Sequence, residues 1–273
     1  MNQIARPAST TRDHAAAARL LIDNWNAGTR LACLPEALRP RSRAEGYAIQ
    51  AQLVADPAAH IGWKIAATSL AGQRHIGVDG PLAGRLFAER LLPDGAVVPL
   101  ATSLMRVAEV EFAFRFGREL LPRTTAFTVD EVMAAVASLH PAIELPDSRY
   151  TDFCAVGAAQ LIADDACANL FILGPATTAA WRDVDLAAQT PMAVVTGPDG
   201  RIRSRHDGLG ANVLGDPRLA LAWLANEVSA LGLPLRAGQV VITGTCVVPI
   251  AVEPGDRVAA DWGAFGQLSV SFV

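Results

Sequence analysis

From Ile61 onward the chain is cut into short apolar runs, over 61–67, 84–88, 95–99, 107–116, 139–145, 169–173, 191–196, 239–243, 256–261 and 266–272. Glycine, proline and polar turn residues punctuate them, and runs of that length at that spacing read as strands. A parallel doubly wound sheet needs a helix between successive strands, and this stretch has room for only two. One opens at the capping box Thr128-Val-Asp-Glu131, the other at Asp216-Pro217, with the acid as N-cap and proline in the first turn, and runs to about Ala230. The pattern therefore predicts an α+β fold with a mixed β-roll or barrel-like core and peripheral helices. Ahead of it, residues 11–26 read as an amphipathic helix, and Ser42-Arg-Ala-Glu45 caps a second one that continues to about Val54. The expected division is a small helical N-terminal segment, 1–60, and one β-roll domain, 61–273.

With 51% hydrophobic residues in 273, the chain can bury a large core. The formal charge of -4 is spread without a basic stripe, which argues against nucleic acid as a partner. The first ten residues lack the apolar stretch of a signal peptide, and no run approaches the length of a spanning helix, so the expectation is a cytoplasmic protein with no membrane partner. Cys33, Cys154, Cys167 and Cys246 form no C-x-x-C pair and read as small core residues.

Chemistry concentrates in the run Ala108-Glu-Val-Glu-Phe-Ala-Phe-Arg-Phe116. On a strand, Glu109 and Glu111 leave one face while Val110, Phe112, Phe114 and Phe116 leave the other. Glu144 lies in a second apolar stretch, after Ala142 and Ile143, where a carboxylate needs a partner. Three carboxylates without a histidine or cysteine cluster suit Mg²⁺ or Mn²⁺ rather than zinc. The same residues also fit a plainer arrangement, in which Glu109 and Glu111 form the solvated face of an antiparallel strand and Glu144 pairs with an arginine.

These acids occur in an ordered set of motifs: Gly62-Trp-Lys64-Ile-Ala-Ala-Thr-Ser69, Glu109-Val-Glu111-Phe-Ala-Phe, Pro141-Ala-Ile-Glu144-Leu-Pro-Asp-Ser-Arg149, Ile162-Ala-Asp-Asp-Ala-Cys-Ala168 and Gly238-Gln-Val-Val-Ile-Thr-Gly-Thr245. From about residue 15 to its C-terminus, the chain resembles the 2-oxopent-4-enoate hydratases and 2-oxo-3-hexenedioate decarboxylases of the fumarylacetoacetate hydrolase superfamily. The resemblance implies a divalent metal on Glu109, Glu111 and Glu144, catalytic use of Lys64, and a homo-oligomer, with complexes of related pathway enzymes left open. It implies as substrate a small 2-oxo or 2-hydroxy-dienoic acid, chelated to the metal through its carboxylate and C2 oxygen, in the breakdown of aromatic ring-cleavage products. Ser69, in the lysine motif, is an expected substrate contact.

One position departs from the pattern. Where the hydratases usually carry Pro-Asp-aromatic-Gly, this chain reads Pro81-Leu82-Ala83-Gly84, so Leu82 replaces an acid that works beside the lysine. Asp79 and His75 are the alternative proton carriers in sequence, each with an ordinary turn or surface role as its plain reading. Asp165 and Cys167 also stand where many relatives have Asn and Ser. Burial and a nearby cation would lower the pKa of Lys64, unless it ion-pairs with a glutamate. Arg149 is the best-placed arginine for a substrate carboxylate, or else the partner of Asp147; Thr245 offers a hydroxyl to the substrate, or else only a tight turn. The leading expectation is a lyase that hydrates a 2-hydroxypenta-2,4-dienoate. A 2-oxo-3-hexenedioate-type decarboxylase, an acylpyruvate-type C–C hydrolase and a non-catalytic partner subunit follow in that order.

Overall fold

The computed structural model of the chain describes residues 13–54 and 56–273. Of the helix expected over 11–26, positions 11 and 12 and the reading of residues 1–10 lie outside the described residues, and Asp13 is the N-cap of a helix that starts at His14. Helices α1 (His14–Ala27) and α2 (Arg43–Gln50) precede β1 (His60–Ala66), α3 (Leu70–His75), β2 (Leu82–Phe87), β3 (Leu91–Leu92), β4 (Val97–Val98) and β5 (Val107–Phe116). Then come α4 (Val129–Met133), β6 (Val136–Leu145), α5 (Ala158–Ala163), β7 (Leu170–Leu173), β8 (Met192–Thr196), β9 (Ile202–Asp207) and α6 (Pro217–Ala230). The chain closes with β10 (Val240–Thr245), β11 (Ile250–Ala251), β12 (Arg257–Asp261) and β13 (Gln267–Phe272).

The larger sheet has the order β2-β1-β10-β5-β6-β7-β3, with β11 pairing β5 off that path, and it curls into a half-barrel. A second sheet, β4-β13-β12-β8-β9, shares the main core with it. The alternation on β5 explains the curl: Val110, Phe112, Phe114 and Phe116 are all buried, and each phenylalanine removed from water contributes about 2–3 kcal/mol. Phe112 meets Phe265, just ahead of β13, edge to face at 6.2 Å between ring centroids. Helices α1 and α2 bury Ala17, Ala18, Leu21 and Ile49 against Phe87, Tyr150 and Ala163.

Local signals account for the helix starts. Ser42 accepts from the Glu45 amide, the Thr128–Glu131 capping box is complete, and Asp216 caps α6 with Pro217 in its first turn. The structure adds α3, α5, β3, β9 and β11 to the expected elements. β9, Ile202-Arg-Ser-Arg-His-Asp207, is a mostly exposed edge strand with no apolar face to betray it. α5 has only six residues and starts after Gly157 at φ 80° without a side-chain cap.

A carboxylate cluster with one lysine

Strands β5 and β6 are antiparallel in a register that sets Glu109 opposite Glu144 and Glu111 opposite Ala142. Three acids thus share one face, and each offers an oxygen within 4.8 Å of the others'. Glu111 and Glu144 are fully buried and Glu109 is partly so, which rules out a solvated polar face. The Gly244 amide donates to Glu111 Oε2 at 2.6 Å, while Glu111 Oε1 and Glu144 Oε2 meet no donor among the described residues. Burial raises all three acids, and repulsion from neighbouring carboxylates adds to it at Glu109 and Glu111. Glu109 is pushed up to about 7, chiefly by burial and Glu144, against the opposing charge of Lys64; Glu111 rises well above the usual carboxylate range. Glu144 rises less decisively because Lys64 opposes its burial. Orphaned, buried, convergent carboxylate oxygens are the donor set of a hard divalent cation, and these three residues fit one.

Lys64, on β1, supplies the one nearby positive charge. Its Nζ lies 2.9 Å from Glu144 Oε1 and donates to the Ala166 carbonyl at 3.2 Å. Burial by itself would lower its pKa, as expected from the sequence, but Glu144, Glu109 and Glu111 reverse the sign and hold it raised. Of the two alternatives the sequence left open for this lysine, the ion pair with a glutamate is the arrangement seen. The partner of Glu144 is this lysine and not an arginine.

The carbonyl that receives Lys64 belongs to an unusual turn. Asp165, Ala166 and Cys167 have φ of 56°, 51° and 62°, three consecutive residues in the left-handed region that side chains disfavour. The turn is pinned from behind by a buried pair, in which Arg149 Nε and Nη2 donate to the Asp164 carboxylate and carbonyl while the Ser148 hydroxyl adds a bond at 2.7 Å. Gly84 makes the close approach possible: a Cβ there would collide with the Asp165 carbonyl oxygen and stand 3.0 Å from Lys64 Cδ. Leu82 is buried beside Ala66 in the β1–β2 pairing and supplies no acid. Asp165 accepts the Arg85 amide at 2.7 Å on Oδ1, its Oδ2 has no partner among the described residues, and burial pushes it up to about 7.

The remaining candidates are held by other partners. Arg149, read from the sequence as a substrate ligand or a structural partner of Asp147, is tied into the turn: beyond Asp164 its guanidinium serves the carbonyls of Asp147 and Ala168. Ser69 caps α3 by accepting the Gly72 amide. Thr245 pairs with Glu111 across β10 and β5, but its hydroxyl is turned into a local loop with Val247. His75 is exposed, with Nε2 3.7 Å from Cys154 Sγ, and Asp79 is almost fully exposed beside Arg43. His140 is satisfied by Ser138 and the Gly174 carbonyl. The sequence reading missed Gly84, Gly244 and the Ala166 carbonyl, all of which act through backbone geometry; glycine inside an apolar strand run was the available signal.

Comparison with known proteins places the cluster in a family. Residues 80–273 match the family described as fumarylacetoacetate (FAA) hydrolase C-terminal, and the chain belongs to it. The chain is 38% identical over 212 residues to a 2-keto-4-pentenoate hydratase of Burkholderia vietnamiensis, covering 78% of each protein. It is 31% identical over 272 residues to a 2-keto-4-pentenoate hydratase of Paraburkholderia xenovorans, covering 96% of each. Among solved structures it is similar to the 4-oxalocrotonate decarboxylase from Pseudomonas putida G7 complexed with magnesium and adipate, with a TM-score of 0.83, 26% identity, and coverage of 95% of this chain and 97% of that one. The chain is thus of the hydratase and decarboxylase type within this family, and among the described residues no helix is long and apolar enough to cross a membrane.

Proposed function

We propose that this member of the fumarylacetoacetate hydrolase family is a divalent-metal-dependent carboxy-lyase acting on a small 2-oxo-enedioic acid of the 2-oxo-3-hexenedioate type. Glu109, Glu111 and Glu144 would hold Mg²⁺ or Mn²⁺, which when bound supplies Lewis acidity at the 2-oxo acid head of the substrate. One observation carries the choice of reaction: beside a protonated Lys64 tied to Glu144, Leu82 stands in place of an acid. Loss of CO₂ from the far end breaks a carbon–carbon bond, and its electron pair spreads along the conjugated chain to the C2 oxygen. That step needs no base.

The chain's own residues then have defined tasks. The Gly244 amide and the β5–β6 register orient the carboxylates. Lys64 keeps positive charge beside them and holds, at Nζ, a proton that the carbon chain takes up after CO₂ has left. The likeness to 4-oxalocrotonate decarboxylase over nearly the whole chain supports this reading. A second reading, hydration of a 2-hydroxypenta-2,4-dienoate, is favoured by the identity to the hydratases, but it requires a group that takes a proton from water.

The test is an absorbance and CO₂-release assay with Mg²⁺ or Mn²⁺ on the C6 diacid and on freshly generated 2-hydroxypenta-2,4-dienoate, run beside Glu111→Ala protein. Metal-dependent CO₂ release from the diacid, absent in Glu111→Ala, is expected. Consumption of the C5 dienoate without decarboxylation of the diacid would replace this reading with the hydratase. Silence on both would remove both readings.

A further inference from the structure

A cavity of about 160 Å³ has a lining that includes none of the three glutamates and not Lys64. Its polar wall carries Arg30, Arg90, Arg106 and Arg149 and a single acid, Asp147. The acid is already used: Oδ2 accepts from Arg30 Nη2 at 2.5 Å, and Oδ1 accepts the amides of Leu104 and Met105. Arg149 is answered by Asp164. Arg90 is left over. Among the described residues it makes no hydrogen bond, and its nearest carboxylate is the exposed Glu89 at 3.6 Å. Arg30 Nε is likewise buried without a partner.

The arginines are held in place before anything binds. The Trp25 indole lies between two of them, with Arg90 Cζ 4.2 Å and Arg149 Cζ 4.0 Å from its ring, and Trp25 Nε1 donates to Asn169 at 3.1 Å. Burial, with Arg149 as a like-charged neighbour and Glu89 opposing both, lowers the Arg90 pKa. The same cavity is also lined by the apolar side chains of Val98, Leu100, Val107, Leu145 and Phe272. Guanidinium donors and apolar side chains in one cavity suit an anion with a hydrocarbon body, and inorganic phosphate would leave the apolar lining unused. At interior packing density the cavity holds roughly 120 Å³ of ligand, about the size of a five- or six-carbon acid.

We propose that this cavity is a second, metal-independent binding site for a small aliphatic carboxylate, with Arg90 and Arg30 Nε as the free donors and Trp25 as their platform. The test is calorimetric titration of hexanoate into the full chain in excess EDTA. The expected result is one hexanoate per chain, unchanged in Glu111→Gln, weakened at least tenfold in Arg90→Met and largely retained in Arg90→Lys, with phosphate at least tenfold weaker. Melting curves verify that the variants fold; should Arg90→Met not fold, Arg30→Lys, which keeps the charge but removes Nε, is expected to weaken binding severalfold. Absence of saturable binding to the wild type, loss of binding in Glu111→Gln with retention in Arg90→Met, or equal affinity for phosphate would each overturn the proposal.

Discussion

Replacing Glu109 by glutamine should stabilise the metal-free protein above neutral pH and leave it unchanged in acid. Glu109 has its pKa raised from 4.5 to about 7 by burial and Glu144. For an acid with a raised folded-state pKa, the folded state binds the proton more tightly than the unfolded state does. Stability is therefore highest below about pH 4.5, falls as pH rises through the 4.5–7 window, and is lowest above it. A rise from 4.5 to about 7 corresponds to about 3 kcal/mol at pH 8, and for a chain of this length each kcal/mol moves Tm by about 2 °C. In EDTA, Glu109→Gln should match wild type at about pH 4 and melt about 6 °C higher at pH 8, by calorimetry or circular dichroism. Saturating Mg²⁺ or Mn²⁺ at pH 8 should raise the wild-type Tm by a similar amount, since about 2.7 kcal/mol follows from a concentration of a hundred times Kd, and should barely move the variant. Equal melting points at pH 8 in EDTA, or a less stable variant, would show that the attraction of Lys64 outweighs burial and that the cluster is a settled ion-pair network.

Two further substitutions separate the lysine's surroundings from the cluster. Gly84→Ala places a methyl group into the Asp165 carbonyl and against the Lys64 stem; overpacking should cost about 1–3 kcal/mol in a denaturant melt, with kcat reduced at least tenfold and the fold retained. A variant of wild-type kcat would mean that the turn and Lys64 can part without consequence. Asp164→Asn leaves the buried Arg149 without its carboxylate and should destabilise the chain by about 3–5 kcal/mol, read as a Tm lower by roughly 6–10 °C. A loss under 1 kcal/mol would remove Arg149–Asp164 as the anchor of the turn.

What could be read from the sequence follows from which interactions are periodic. The E-x-E alternation on β5 and the capping signals of α4 and α6 are local, so the strand, its faces and the helix starts were legible. The pairing of Glu109 with Glu144 is a long-range register, set by β6 lying beside β5; residue chemistry suggested that the three acids could share a cation, and the resemblance to known proteins strengthened that reading over a solvated face. Lys64 was legible as a residue but not in its protonation, because the sign of its shift depends on three carboxylates from two other strands. Arg149 misled for the opposite reason: its place in a shared motif is equally consistent with anchoring the 164–168 turn, and that is where its donors go. β9 was silent because an exposed edge strand has no buried face to alternate.

The charge balance of the centre ties these observations to its chemistry. With a divalent cation bound, three ionised carboxylates and one ammonium would sum to zero, whereas a monovalent cation would leave a net charge of -1. If Lys64 gave up its proton with the cation present, the site would return to -1, so neutrality itself holds the proton on Nζ. The same reasoning gives the lysine its direction of action. A group kept charged by its surroundings is poorly suited to take a proton from water but well suited to stand beside a carboxylate or a developing oxyanion. In the proposed decarboxylation, with Leu82 and not an acid beside it, Lys64 is the residue of the cluster that would supply a proton once the bond has broken.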